Sequence, residues 1–292
     1  MISFILAILT GVLCGFGYSQ ISEHASFGIY ITGFISTLIA FIFINKKMTK
    51  PLNVIFMKIQ KVREEAQETI QKKAKHLQSR PGGNQAAFMK TAEKLQEKSN
   101  AESIELLKGV EQYYKWNFMI EKQVNTMRFQ LYFQMKKYEE ADKYLKDVML
   151  VDPMSVGMKM ARLYKKYPLD KDKLSDEATI KSTLKAWEVT KVFRKGAKRM
   201  KGSNSALLFS TYAWILVKSG LATEALVILQ EGLKKSADEI IAQNIDRLRN
   251  NKPKSYSNAK YGDQWYALYL EEPPKQKPKM VRQKAGRQGR PF

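Results

Sequence analysis

The pattern of apolar and polar positions changes character along the chain. Residues 2–18 and 27–45 contain no charged side chain and are dense in Ile, Leu and Phe. A helix needs roughly 20 apolar residues to cross the hydrocarbon, with about 17 at the lower limit, so both runs are predicted to span a membrane. After residue 50 the apolarity becomes periodic. Ile55, Ile59, Val62, Ala66, Ile70, Ala74 and Leu77 recur at steps of three and four, with Lys58, Lys61, Glu64, Glu65, Lys72 and Lys73 mostly elsewhere. One stripe of this kind predicts an amphipathic helix over residues 51–78. Its start is placed at Thr49–Pro51, since proline is tolerated in a first turn, and its end at the SRPGG of residues 79–83.

From residue 84 to about 250 the pattern predicts successive helices. They are expected over 84–98, 101–114, 117–136, 138–150, 154–166, 176–199, 204–218 and 221–235, with a further one near 237–250. The breaks fall at KSN, MKK, VDP, YPLDKDKLS, KGSN and KSG. No run of alternating β-branched residues bounded by turns occurs, so the fold class is all-α. Beyond residue 250, Tyr256, Tyr261, Trp265, Tyr266, Tyr269 and Leu270 cluster, and a free tail would gain little from so many rings. This segment is expected to pack on the last helices, with occupation of a groove as the sharper alternative. The final stretch carries Lys275, Lys277, Lys279, Arg282, Lys284, Arg287 and Arg290 with no acid, and its prolines and glycines predict disorder.

Charge sets the orientation of the apolar hairpin. Its connection, SQISEHAS, has no Lys or Arg, whereas Lys46, Lys47 and Lys50 follow the second run at once. The positive-inside rule then places both termini and the helical domain in the cytoplasm, as in a bacterial inner-membrane protein. Only Met1, Ile2 and Ser3 precede the apolar run, so a cleaved signal peptide, which needs a basic start, is not expected. Gly11 and Gly15 have the spacing that lets two helices approach closely.

The formal net charge of +22 implies attraction to headgroups, nucleic acid or acidic partners, without specificity. It is concentrated in the tail and in residues 180–201. There Lys181, Lys185, Lys191, Arg194, Lys195 and Lys198 are candidate contacts for an anionic partner, while Ile180, Leu184 and Trp187 are expected to face the core. The single cysteine, Cys14, excludes a disulfide framework, and His24 and His76 do not make a metal site. No phosphate-binding glycine loop, GxSxG, HExxH or CxxC appears, so no catalytic, cofactor-binding or metal-binding residues are assigned and a non-enzyme is expected.

Two stretches share a spacing. In the first, Tyr132 precedes a turn, Ala141 is small where a second helix meets the first, and Leu145 and Val148 follow before Pro153. In the second, Tyr212 and Ala213 precede KSG, and Ala225, Leu229 and Gly232 stand at the same offsets, with Ala237 in place of the proline. This spacing resembles the tetratricopeptide repeat, TPR, whose paired antiparallel helices cross through small residues. Arg128 and Phe129 depart from it, standing where a large aliphatic and a small residue belong. A degenerate hairpin over residues 154–200, and another over 84–115, would complete an array of about 150 residues. The resemblance implies an α-solenoid with a concave surface that grips a protein partner; a plain helical bundle is the alternative.

The expected organisation is therefore a transmembrane helical hairpin (1–46), a juxtamembrane helix and break (47–83), a cytoplasmic TPR-like solenoid (84–250), an aromatic segment (251–272) and a basic tail (273–292). The expected function is that of a membrane-anchored adaptor holding a cytoplasmic protein. The alternative is a membrane-tethered RNA- or ribosome-binding protein acting through its basic helix and tail. The oligomeric state stays open.

Overall fold

The computed structural model describes residues 2–21, 26–78, 85–169 and 176–274. Among these, every regular element is helical. The break expected at 79–83, residues 170–175 of the break expected at 167–175, residues 22–25 of the apolar connection, and residues 275–292 of the basic tail lie outside the described residues.

Helices α1 (Ile2–Ile21) and α2 (Ser26–Gln78) pack as a hairpin. The face of α1 turned to α2 is made of Ser3, Ala7, Gly11 and Gly15, all buried. A Cβ at Gly11 would stand 2.5 Å from the Gly33 carbonyl oxygen, so the two backbones meet only because glycine has no side chain. Outward, Phe4, Leu9, Leu13, Phe16, Phe34 and Phe43 remain exposed, a larger apolar surface than a water-soluble chain ordinarily shows. Both helices are long and apolar enough to cross a membrane.

Helix α2 does not restart at Pro51 as expected. It runs unbroken for 53 residues, with Pro51 inside, a length of roughly 80 Å at 1.5 Å per residue. The proline removes one backbone donor. Packing holds the helix in line beyond it, since Leu52 and Ile59 are buried against Leu107, Val110, Val124 and Leu131. The apolar hairpin and the amphipathic helix are thus one rod.

Helix α3 (Gln85–Lys108) also continues through an expected break, the KSN of residues 98–100. Ser99 and Asn100 are buried in its middle. Ser99 Oγ donates to the Val62 carbonyl of α2 at 3.3 Å, and Asn100 Nδ2 donates to Gln134 Oε1 at 3.4 Å. Residues that favour turns in isolation here find their partners across helices.

Asn117 caps α4 (Phe118–Gln134), its side chain accepting from Met119 N at 2.9 Å. The next helix, α5 (Tyr138–Tyr144), is shorter than the expected 138–150. After it the chain turns and then extends, which sends Val148 and Leu150 into the core. Thr126 Oγ1 accepts the freed Met149 amide at 2.8 Å. Asp152 then caps α6 (Pro153–Lys166), with Pro153 in its first turn, where a missing N–H costs nothing.

The single helix expected over 176–199 is two, α7 (Glu177–Ala186) and α8 (Glu188–Arg199). They divide at Trp187, whose ψ of 130° is extended. That turn buries the indole and lets its Nε1 donate to the Tyr167 carbonyl at 2.9 Å. Helices α9 (Ser203–Lys218), α10 (Ala222–Ser236) and α11 (Glu239–Arg249) fall close to their expected bounds, followed by a short α12 (Asp263–Tyr266). The buried residues form two cores. The smaller joins α2, α3 and α4, and the larger runs from α4 to the C-terminal aromatic segment.

Candidate interaction surfaces

Most of the residues singled out by the repeat-like spacing are buried. Tyr132 of α4 stacks on Tyr144 at 6.0 Å with a 4° interplanar angle, and Ala141 of α5 is fully buried in the larger core. Leu145 and Val148 are buried beyond it, and Pro153 opens α6. In the α9–α10 pair, Tyr212, Ala213, Ala225 and Leu229 are buried. A Cβ at Gly232 would lie 2.7 Å from Phe209 Cβ, so the crossing requires glycine. Ala237 ends α10 in a left-handed conformation, φ 49°. Phe129 is fully buried and packs on Phe133 at 5.8 Å, so a large residue fills a place where the repeat pattern has a small one.

The C-terminal aromatic segment is part of the larger core. Trp265 and Leu268 are fully buried. Trp214 Nε1 and Trp265 Nε1 donate to the two oxygens of Glu271, at 2.7 Å and 2.8 Å. Tyr256 hydroxyl donates to the Ser210 carbonyl of α9, Leu268 meets Gly157 of α6, and Tyr269 hydroxyl donates to the Gln134 carbonyl of α4. The segment therefore lies across α4, α6 and α9. Burial pushes the Tyr256 and Tyr261 hydroxyls well above the usual tyrosine range, so both stay protonated as donors.

An open groove of about 1090 Å³ lies elsewhere, between α2, α3, α4 and the extended residues before α6. Its apolar lining includes Phe56, Ile59, Ile70, Met127, Met149 and Val151. Around them stand six amide side chains, Gln60, Gln67, Gln96, Asn100, Gln123 and Gln130. Among the described residues its charged lining is Arg63, Glu64 and Asp152, so the lining itself is near neutral. Alternation along 148–151 places Met149 and Val151 here while Val148 and Leu150 enter the core. Sequence reading missed this site. Its signal was present as glutamines seven apart, 60 with 67 on α2 and 123 with 130 on α4, a spacing that keeps both on one helical face.

The predicted basic residues are brought partly together. Lys181, Lys185, Lys191 and Arg194 line a second groove of about 980 Å³ between α7, α8, α9 and α10. Three carboxylates, Asp176, Glu177 and Glu224, line it as well. Lys181 pairs with Glu177 at 2.6 Å, Lys191 with Glu188 at 2.7 Å and Arg194 with Glu231 at 2.7 Å. Lys195 and Lys198 do not line this groove; Lys195 is near Lys159, which burial and that like charge hold below the usual lysine range. Ile180 and Leu184 pack on the larger core only partly, and Trp187 is buried in it. Lys275, Lys277, Lys279, Arg282, Lys284, Arg287 and Arg290 lie outside the described residues.

Compared with protein families, with curated proteins and with solved structures, the chain matches none.

Proposed function

We propose that this protein is a non-enzymatic, membrane-anchored scaffold that holds a cytoplasmic protein through the groove between α2, α3 and α4. Helices α1 and α2 are read as two membrane spans with both termini in the cytoplasm, and α4–α5, α6–α8 and α9–α10 as TPR-like hairpins. The concave side of such a stack is the usual place for a peptide. Here residues 256–271 lie across the first helices of the hairpins. Of the two large open grooves, the one between α2, α3 and α4 has few charged residues, while the α7–α10 groove is lined by cations and carboxylates.

The observation that carries the reading is the make-up of that groove and its position. It is built partly on α2, the rod that leaves the apolar hairpin, so a bound partner is held near the membrane. An extended peptide has unpaired backbone N–H and C=O groups, and amide side chains both donate and accept, so they match it irrespective of sequence. Gln67, Gln96 and Gln123 make no hydrogen bond among the described residues and point to this use. The apolar part of the lining would take alternate side chains, and its near neutrality favours an uncharged, apolar segment over an acidic one. The RNA or ribosome reading has less support, because three of the cations on α7 and α8 are already paired with carboxylates.

A photo-crosslinking residue placed at Gln67 and at Gln123 of the full-length chain in cells tests the proposal. The expected result is one protein partner joined at both positions through a single apolar stretch, insensitive to nuclease, and absent when the probe is at Val227. Crosslinks that disappear with nuclease, or that are the same from Val227, would overturn it.

A further inference from the structure

We infer that the loop between α3 and α4, residues 109–117, is a second membrane contact that lies at headgroup level and fastens the near end of the helical domain to the bilayer surface. The inference rests on the reading of α1 and α2 as spans. Its basis is a pair of hydrogen bonds between distant parts of the chain. The Ile2 amide donates to the Lys115 carbonyl at 2.9 Å, and the Ser3 hydroxyl donates to the Trp116 carbonyl at 2.5 Å. Ser3 is buried there. The loop is thus fastened to the first turn of α1, where the apolar run begins.

The register of the hairpin gives the same level from the other side. Phe4 meets Phe41 edge-on at 6.2 Å, Gly11 lies against Gly33 and Thr37, and Gly15 against Ile29. Carried to the start of α1, this register sets Ile2 beside residues 43–45, and Lys46 and Lys47 follow at once. Lys115 and Trp116 therefore stand level with the first lysines of α2. Tryptophan concentrates at that depth because its ring suits the apolar side and its N–H the polar side, while lysine extends its ammonium to the phosphates. The loop supplies that composition as Tyr113, Tyr114, Lys115 and Trp116.

The loop is also held in place. Arg128, buried on α4, donates to Glu111 and, at 3.5 Å, to the Tyr114 hydroxyl. Val110 is fully buried in the α2–α4 core, on which Tyr113 and Tyr114 pack. Lys115 is left exposed and Trp116 half-buried beside α1. Arg128, which breaks the repeat pattern, is in this account a positioning residue for the loop.

The test uses the full-length chain reconstituted in vesicles of phosphatidylcholine and phosphatidylglycerol, some carrying a nitroxide near the headgroup and others a nitroxide at the chain end. Trp187, Trp214 and Trp265 are buried, so the Trp116 share of emission is obtained by difference with Trp116→Phe, whose fold is checked by circular dichroism. The expected result is strong quenching of that share by the shallow nitroxide, weaker quenching by the deep one, and little of either in Trp116→Phe. Equal quenching of the two proteins, in a chain that resists alkaline carbonate extraction, would overturn the inference and leave the spans intact. Release of the chain by carbonate would overturn the spans and the loop contact together.

Discussion

Replacing Trp265 by alanine tests whether the C-terminal segment belongs to the cooperative core. The indole is fully buried, packs against Trp214 at 5.6 Å and donates to Glu271. Removing a buried aromatic to alanine costs about 3–5 kcal/mol through lost burial and the cavity left behind. The Glu271 carboxylate also loses one of its two indole donors, which keeps the expected loss off the lower end of that range, at about 4 kcal/mol. A domain of this kind has a total stability of about 5–15 kcal/mol, so the change removes a large share of it. With a urea slope of about 2 kcal/mol/M, the unfolding midpoint falls by about 2 M. The assay is urea unfolding of the full chain in a mild detergent, followed by far-ultraviolet circular dichroism. Tyr266→Ala serves as the control, since Tyr266 is only half-buried, and its expected cost is about 1 kcal/mol. A loss under about 1 kcal/mol for Trp265→Ala would refute the reasoning, because the segment would then be docked on the domain without being part of its fold.

Gly232→Leu forces a side chain into Phe209 at the crossing of α9 and α10, and overpacking of this kind costs about 1–3 kcal/mol. An unchanged thermal midpoint would show that the helices can part freely. Asp142 gives a pH signature. Burial opposes its ionisation, but Arg162 at 2.7 Å and Lys166 at 2.9 Å outweigh that and hold its pKa below the ordinary carboxylate value. Its contribution is therefore fully present above the unfolded-state pKa of about 3.9 and is lost as pH falls through the lower folded-state value. Asp142→Asn should lower stability at pH 7 by about 1.5–3 kcal/mol, and the gap to the parent should close in acid. A gap that persists in acid once the carboxyl is protonated in both states would assign the loss to packing instead.

The bounds of α4, α6, α9, α10 and α11 were legible because each rests on local chemistry. Asn117, Asp152 and Asp238 accept from the first-turn amides they precede, and apolar residues recur at helical spacing behind them. The four departures have tertiary causes. Pro51 stays inside α2 because Leu52 and Ile59 are packed. Ser99 and Asn100 stay inside α3 because α2 and α4 satisfy their side chains. Trp187 splits a helix to reach the Tyr167 carbonyl, and α5 stops early so that Val148 and Leu150 can enter the core.

The same division holds for the surfaces. The sequence by itself determined that the described elements are all helical, with two long apolar helices at the start, since periodicity and unbroken apolarity depend on side-chain order alone. It also showed which residues are cationic. Lys181 with Glu177 and Lys191 with Glu188 are pairs within one helix turn, whereas tertiary structure alone decided that Arg194 meets Glu231, because the two come from separate helices. It alone assembled six amides from α2, α3 and α4 around one set of apolar side chains, and brought residues 115 and 116 to the first turn of α1. Helix formation is set by neighbours a few residues away, whereas a groove or a docked loop is set by segments far apart in the chain whose approach depends on every core contact between them.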